Sequence, residues 1–417
     1  MVDPKWGAYT ADALMHYPSG LGRIPCSLIH AFGLQKQASA RANAHLQELP
    51  VPIADAIALA AQEVAAGAWD AHFPLGMWQA GDGNQTHINV NEVIACRAAE
   101  LMAETKAGSP DIGAVAEIHP LDHVNRNQSS NDSWPTVVHM ALARELQASF
   151  SSSLETLVTA LDLFAARHHE TAKVGRTFLR DAHRTTVGME FRGFAALLRG
   201  SQSHLATACE ALRVLPQGGG AVGNGAGVHP GFGTRFAEEL RTLTGMPFQS
   251  APQPCAAQVV DTALLTVWSG LVMISVVCLK LCRDIELLGS GPACGLGELL
   301  LPAVGPGSSS MAGKVNPTHA SMLEMMCMKV LSDHAMVCAS LSSARLQLNT
   351  TYLLAACVTV DAVETLGQGL ECFASSCIDR LEVDHSQLDV HMAKGPGARY
   401  LQSRELGYDA VARQDVV

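Results

Sequence analysis

The feature that most constrains this chain is an 18-residue run without a formal charge, Thr262 to Leu279, reading TALLTVWSGLVMISVVCL. A helix that is apolar on every side belongs either in lipid or in the interior of a large assembly. Asp261 and Lys280 bracket the run, and LCRDIELL continues it without a break as an amphipathic pattern. The run therefore reads as a rod buried on all sides in a helical bundle, and no membrane partner is expected. Composition agrees: of 417 residues 48% are hydrophobic and only 16% charged, so burial is extensive and part of it is expected between subunits.

Most of the remaining chain repeats the helical period. Apolar and alanine positions recur at helical spacing in Ile53 to Ala66, and the same pattern predicts helices over Asn91 to Thr105, Thr136 to Arg167, Gly188 to Leu198, Gly233 to Thr244, Ala257 to Leu288 and Met322 to Ser342. Long alternating strand patterns are absent. The expected fold class is all-α, with long rods packed side by side. With 28 Lys+Arg against 39 Asp+Glu the formal charge is -11, which argues against nucleic acid as a partner. Twelve scattered cysteines without a secretory segment ahead of them read as reduced thiols of a cytoplasmic protein. Cys278 and Cys282, four apart inside the apolar run, read as small buried hydrophobes.

Between the rods lie polar or glycine-rich stretches, Gly81 to Asn89, His119 to Asp132, Gln217 to Phe232 and Gly289 to Pro317. Such loops carry function more often than their length suggests. None has the spacing of a phosphate-binding loop and none follows a strand as a dinucleotide fingerprint requires, so no cofactor is expected. The densest is GSSSMAGKVNP, where Ser308, Ser309, Ser310, Lys314 and Asn316 stand with Gly307 and Gly313, and Gly305 just precedes them. That set suits a carboxylate substrate: Lys314 can neutralise a carboxylate or a developing enolate, Asn316 can donate a hydrogen bond, and a serine can act as base where its neighbours stabilise the alkoxide. A solvated surface loop is the plainer alternative.

The second polar cluster, QSSND (Gln128 to Asp132), precedes a helix expected to begin near Pro135. Ser129, Ser130 and Asn131 would then set hydroxyls, an amide and backbone donors at a helix N-terminus, where anions are favoured. A simple cap at Asp132 or Ser133 is the alternative. His119, Asp122 and His123 have spacing that zinc ligands can use, but no second cluster partners them and Pro120 disturbs their presentation, so no metal is expected.

These segments, together with WGAYT, NEVIACRAAEL, GRTFLRDA, VGMEFRGFAALL, GGGAVGNGAGVHPGF, LLGSGPACGLGELLLP and the signature GSxxMxxKxN as GSSSMAGKVN, resemble the fumarase/aspartase superfamily, most closely its class II fumarase and aspartate ammonia-lyase branch. The resemblance spans nearly the whole chain. It implies an all-helical protomer of three domains, here residues 1–128, 129–385 and a shortened 386–417, with a central long-helix bundle in a homotetramer whose active sites gather loops from three subunits. The implied reaction is a cofactor-independent anti elimination that forms fumarate, or a fumarate-like product, from a succinyl-type dicarboxylate. On that reading Ser308 is the base and Lys314 and Asn316 hold the carboxylate and its enediolate. Ser129, Ser130, Asn131, Thr177, Ser309, Asn84 and Asp82 would bind the remaining polar groups.

Several residues depart from the family pattern. Fumarases carry RTH where this chain has RTF, so Phe178 replaces a histidine that assists catalysis, and Ser321 stands where its glutamate partner is usual. GSGT or GAGT has become GDGN, which puts Asp82 and Asn84 beside the pocket that receives a carboxylate. Either the substrate presents a cationic or neutral group there, or Asp82 turns away to cap a helix. Ala312 replaces the signature's proline, and Leu121 a commonly polar residue. The missing histidine and glutamate at Phe178 and Ser321, with Asp82, favour aspartase-like carbon–nitrogen cleavage. Fumarate hydration is the alternative, and a catalytically silent structural or regulatory paralogue is the alternative of another class.

Overall fold

The computed structural model describes residues 4–18, 20–107, 117–395, 403 and 405–413. Helices dominate: α1 (Ala8–His16), α2 (Cys26–His45), α3 (Val51–Ala65), α4 (Asn84–Ala107), α5 (Ser130–Glu145), α6 (Ser151–Arg167), α7 (Val187–Leu212), α8 (Phe232–Thr244), α9 (Pro254–Val259), α10 (Thr262–Leu288), α11 (Thr318–Leu341), α12 (Tyr352–Ser376), α13 (His385–Lys394) and α14 (Tyr408–Ala412). The strands are few and short. β1 (Ala172–Thr177) pairs antiparallel with β2 (Arg180–Thr186), β3 (Val214–Leu215) runs parallel to β4 (Gln249–Ser250), and β5 (Leu299–Leu300) pairs antiparallel with β6 (Glu382–Val383).

The described residues divide into two compact units. The first draws on 1–148, 204–270 and 332–364, the second on 149–203, 271–331 and 365–417. In the first, α2 packs against α3, α5 and α8, and α3 against α4. Trp268 at the head of α10 is buried there, stacked on His334 and donating its indole N–H to Thr359 Oγ1 at 2.8 Å. In the second unit Phe164 of α6 meets Phe191 of α7 with ring centroids 4.4 Å apart. Cys278 and Cys282 are buried with Cys327 and Cys377, and burial holds the Cys377 thiol up at about 12. None of the twelve cysteines forms a disulfide.

The structure refines several expectations. Helix α5 begins at Ser130, with Pro135 inside it, five residues before the expected start. The rod expected over Thr136 to Arg167 is divided by a π-helical turn at Leu146–Phe150, and the one over Ala257 to Leu288 by Val260 and Asp261. Helices α1, α2, α12, α13 and α14 were not foreseen. In α2 the reason is physical: Gln35, Lys36, Gln37, Ser39 and Asn43 are all buried, so polar residues occupy the inner face and erase the amphipathic pattern. Within the single chain the apolar run of α10 is covered on one side. Leu264, Val267, Leu271, Ile274 and Cys278 are fully covered, whereas Val276 is 53% exposed. α10 and the helical stretch Tyr352–Arg380 are long and apolar enough to cross a membrane, with 56% and 72% of their apolar windows buried within the protein. Of the segment 386–417, residues 396–402, 404 and 414–417 lie outside the described residues.

Candidate functional site

In the first unit the polar cluster forms around the head of α5. Ser129 is the N-cap: its hydroxyl accepts the Asn131 N–H at 3.3 Å, and Asp132 reaches back to the Ser129 N–H at 3.0 Å, completing a capping box. The amides expected to attract an anion are thus partly engaged by Ser129 itself. Asp132, not a simple exposed cap, is wholly buried, and its second oxygen accepts the backbone N–H groups of Gly218 at 3.1 Å and Gly220 at 2.8 Å. The glycine-rich stretch after Gln217 is therefore a backbone nest filled by this chain's own carboxylate. Burial pushes Asp132 up to about 6, against the pull of the hydrogen bonds it accepts.

Ser130 and Asn131 lie at the mouth of a small cleft. Ser130 Oγ donates to Asn84 Oδ1 at 3.2 Å, and Asn131 Nδ2 donates to the Ala221 carbonyl at 2.7 Å. Asp82 lines the same cleft, and its Oδ1 accepts the Asn84 N–H at 3.2 Å at the start of α4. Gly83 joins these two residues with φ +72°. A Cβ there would lie 2.1 Å from Trp134 Nε1, which donates to the Gly83 carbonyl at 2.8 Å. No side chain larger than hydrogen fits between the loop and α5.

Two buried networks behind the cleft escaped the sequence reading. Lys36, fully buried, donates to Gln128 Oε1 at 2.7 Å and Asn125 Oδ1 at 3.2 Å, and stands 2.6 Å from His87 Nε2. Burial holds both Lys36 and His87 well below their ordinary pKa, and the ammonium beside the imidazole lowers His87 further. The second network joins His139, Asp261 and Tyr352. Asp261 meets His139 Nε2 at 3.0 Å and accepts the Tyr352 hydroxyl at 2.7 Å, while His139 Nδ1 lies 2.9 Å from the Val214 carbonyl. Burial lowers the His139 pKa, but the Asp261 carboxylate outweighs it and the net shift is upward. The one available signal was Asp261 itself, a carboxylate at the foot of an apolar run.

The second unit carries the signature loop. Its hydrogen bonds are internal: Ser308 Oγ accepts N–H from Met311 at 3.1 Å and from Ser310 at 3.4 Å, and Asn316 Nδ2 donates to the Gly307 carbonyl at 2.9 Å. Gly307 has φ +74°, and a Cβ would lie 2.3 Å from the Lys314 carbonyl oxygen, so the two limbs of the loop meet at a residue that must lack a side chain. Ser309 and Lys314 are exposed, and Lys314 has no ion pair among the described residues. Ser321 is exposed in the first turn of α11. Thr177 ends β1, and Phe178 and Leu179 form the hairpin tip with φ of +54° and +58°; Phe178 is fully exposed. The structure thus assembles Asp82, Asn84, Ser129, Ser130 and Asn131 in one unit. The second holds Thr177, Phe178, Ser308, Ser309, Lys314, Asn316 and Ser321.

The remaining candidates serve the backbone. His119 Nδ1 accepts the N–H of Leu121 at 3.3 Å and of Asp122 at 3.1 Å, while His123 Nδ1 accepts that of His119 at 2.9 Å. Among the described residues no group of three or more His, Cys, Asp or Glu is arranged to hold a metal ion.

The family described as lyase matches residues 1–332. A class II fumarate hydratase from Thermosynechococcus vestitus is 40% identical over 411 residues, which cover 99% of this chain and 87% of the relative. One from Pseudomonas putida is 38% identical over 410 residues, covering 98% and 87%. Among solved structures, a class II fumarase from Schistosoma mansoni matches with a TM-score of 0.94 at 31% identity, covering 99% of this chain and 88% of that one. A fumarate lyase:delta crystallin from Brucella melitensis in native form matches with a TM-score of 0.87 at 30% identity, covering 98% and 92%. Extended likeness in both sequence and fold makes this chain a lyase that belongs to the fumarase/aspartase superfamily.

Proposed function

We propose that this lyase catalyses reversible anti addition and elimination across the double bond of fumarate or a fumarate-like dicarboxylate, with Ser308 as the base. The observation that carries this reading is the environment of the Ser308 hydroxyl. Two backbone N–H groups, from Met311 and Ser310, point at its oxygen. Donors so placed favour the alkoxide over the hydroxyl. The alkoxide takes a proton from the carbon beside one carboxylate, and the electron pair moves into that carboxylate as an enediolate neutralised by Lys314. Asn316 has spent one amide hydrogen on Gly307 and keeps the other for the same oxygen. The leaving group then departs from the neighbouring carbon on the opposite face.

Water as the addend is supported by the relatives, which are class II fumarate hydratases at 36–40% identity. An amine is a second reading, favoured by Asp82 in the cleft beside Ser130 and Asn131. In this proposal the protein works as a cytoplasmic homotetramer that joins the polar groups of its two units from different protomers. The test follows the ultraviolet absorbance of fumarate with purified protein in water, with ammonium and with larger amines, using Ser308→Ala as control. Consumption in water alone is the expected result. Consumption only with an amine overturns the hydratase reading, and silence with every addend overturns catalysis in favour of a silent paralogue.

A further inference from the structure

One buried carboxylate in the second unit gathers segments that lie far apart in the chain. Glu298, 1% exposed, stands just ahead of β5. Its Oε1 accepts Arg176 Nη2 at 2.7 Å and meets His391 Nδ1 at 2.8 Å, while Lys173 Nζ lies 3.2 Å from Oε2. Lys173, itself buried, also donates to Glu190 of α7 at 2.7 Å. Burial pushes the Glu298 carboxyl up, but Arg176, Lys173 and His391 outweigh it and the net shift is downward, so the group stays ionised. None of these residues is among the candidates for the proposed reaction.

Lys173 and Arg176 both belong to β1, and three residues apart in a regular strand their side chains would point to opposite faces. They meet at one carboxylate where the hairpin is irregular: Val174 pairs with Arg184 and Arg176 with Asp181, so Ala182 and His183 together stand opposite Gly175. Such a bulge adds twist and re-aims neighbouring side chains. Gly175 leaves room for it, since a Cβ there would lie 2.7 Å from the His183 carbonyl oxygen. A buried ion cluster adds little net stability, because desolvation offsets most of its attraction, but it does select one geometry, since any other leaves charges unpaired. Thr177 follows Arg176 directly and ends β1.

We propose that Glu298 is a positioning residue: by holding Lys173 and Arg176 it fixes the bulged register of the β1–β2 hairpin, and so sets the Thr177 hydroxyl for the substrate. The part played by Thr177 rests on the proposed function; the hold on the hairpin does not. The backbone of Glu298 is secured separately, its N–H donating to the Leu288 carbonyl at 2.7 Å and its carbonyl accepting the Asp384 N–H at 3.0 Å. Removing the side-chain charge therefore loosens the hairpin and leaves the approach to Ser308 in place, which separates binding from the chemical step.

The test is a double-variant cycle on the full-length protein between Glu298→Gln and Thr177→Val, read in steady-state turnover of fumarate. Each single variant should raise KM about tenfold with kcat changed less than about twofold, the mark of lost binding rather than lost chemistry. The double variant should be no worse than either single, because both act through one hydroxyl; a rise of about a hundredfold would overturn the coupling. Titration with succinate, which has no double bond to react, reads the same cycle in Kd. Hydrogen–deuterium exchange should quicken over residues 172–186 in Glu298→Gln and stay unchanged over 299–316; unchanged exchange in the hairpin would overturn the hold. If Glu298→Gln fails to fold, Arg176→Lys keeps the charge, loses the planar fork and should couple to Thr177→Val in the same way. Turnover with KM unmoved in Glu298→Gln defeats this inference alone. Succinate binding that follows the cycle, with no turnover of any dicarboxylate, defeats the proposed function alone.

Discussion

The head of α5 and the signature loop each hold their candidate polar groups, on opposite terms. Around α5 every element is fixed from several directions: Asp132 is gripped by the Ser129, Gly218 and Gly220 amides, Trp134 by the Gly83 carbonyl, and Lys36 fills the space behind Gln128. The signature loop is exposed over Ser309 to Val315, and the hydrogen bonds of Ser308 and Asn316 stay within it. Dense, buried polar networks hold one geometry, while segments with few outside contacts open at low free-energy cost. The head of α5 is therefore held in one geometry, whereas the signature loop can change its own at low cost.

The sharpest way to break this contrast is Ser308→Ala. Loss of a general base costs roughly 10²- to 10⁴-fold in rate, and in an exposed loop it should leave the melting temperature unchanged. Steady-state turnover of fumarate beside a thermal melt reads both. A drop in melting temperature equal to that of a core variant would show that the loop is structural. Asp132→Asn should do the reverse in kind: its amide replaces an acceptor facing backbone donors with a donor, at about 1–3 kcal/mol of stability in urea unfolding. It also carries a pH signature. The folded pKa of about 6 lies above the ordinary 3.8, so the native state binds the extra proton between those values and stability falls as pH rises from about 4 to 6. The Asn variant should lose that slope.

A third prediction lies on the loop. Gly307→Ala places a methyl 2.3 Å from the Lys314 carbonyl at a positive φ, at a cost on the order of 1–3 kcal/mol borne locally. Turnover should fall about tenfold or more, with the urea midpoint moved less than by Asp132→Asn. Equal shifts in the midpoint would mean that the loop unfolds together with the core.

The same contrast explains what could be read in advance. The helical fold and the signature loop were legible because apolar periodicity and an uninterrupted motif are local properties. Ser308, Lys314 and Asn316 lie within nine residues of each other, so their association needed no tertiary information. The network behind α5 was not legible. Lys36, His87, Gln128 and Gln217 are far apart in the chain, and inward-facing polar residues hid α2 from any hydrophobic pattern. The hairpin tip was missed for another reason: Phe178 and Leu179 adopt positive φ where turn sequences ordinarily supply Gly or Asn. Fumarase-like spacing marked Phe178 as a substitution, but it did not show that the ring projects into solvent in the protomer.

The smallest effect concerns Tyr352, the residue that joins the cleft to the buried His139–Asp261 pair. Burial and the adjacent Asp261 carboxylate hold the phenol's pKa well above its ordinary value, so Tyr352 stays protonated and serves Asp261 as a donor. Tyr352→Phe removes that bond and leaves Asp261 with His139 and the Leu264 N–H, at about 1.5 kcal/mol. The pH dependence separates this from general damage. His139 has its folded pKa raised above 6.5, so its contribution is complete below that value and is lost as pH rises through the folded pKa. Asp261 has its folded pKa lowered below 3.8, so its contribution is complete above that value and is lost as pH falls through the folded pKa. The ion pair is therefore at full strength between 3.8 and 6.5. With one donor fewer, the Asp261 pKa should rise in the phenylalanine variant, moving the acid limb of the urea-stability profile to higher pH. A deficit equal at every pH would mean that Tyr352 contributes packing alone, and the link from cleft to ion pair would then carry no charge-dependent coupling.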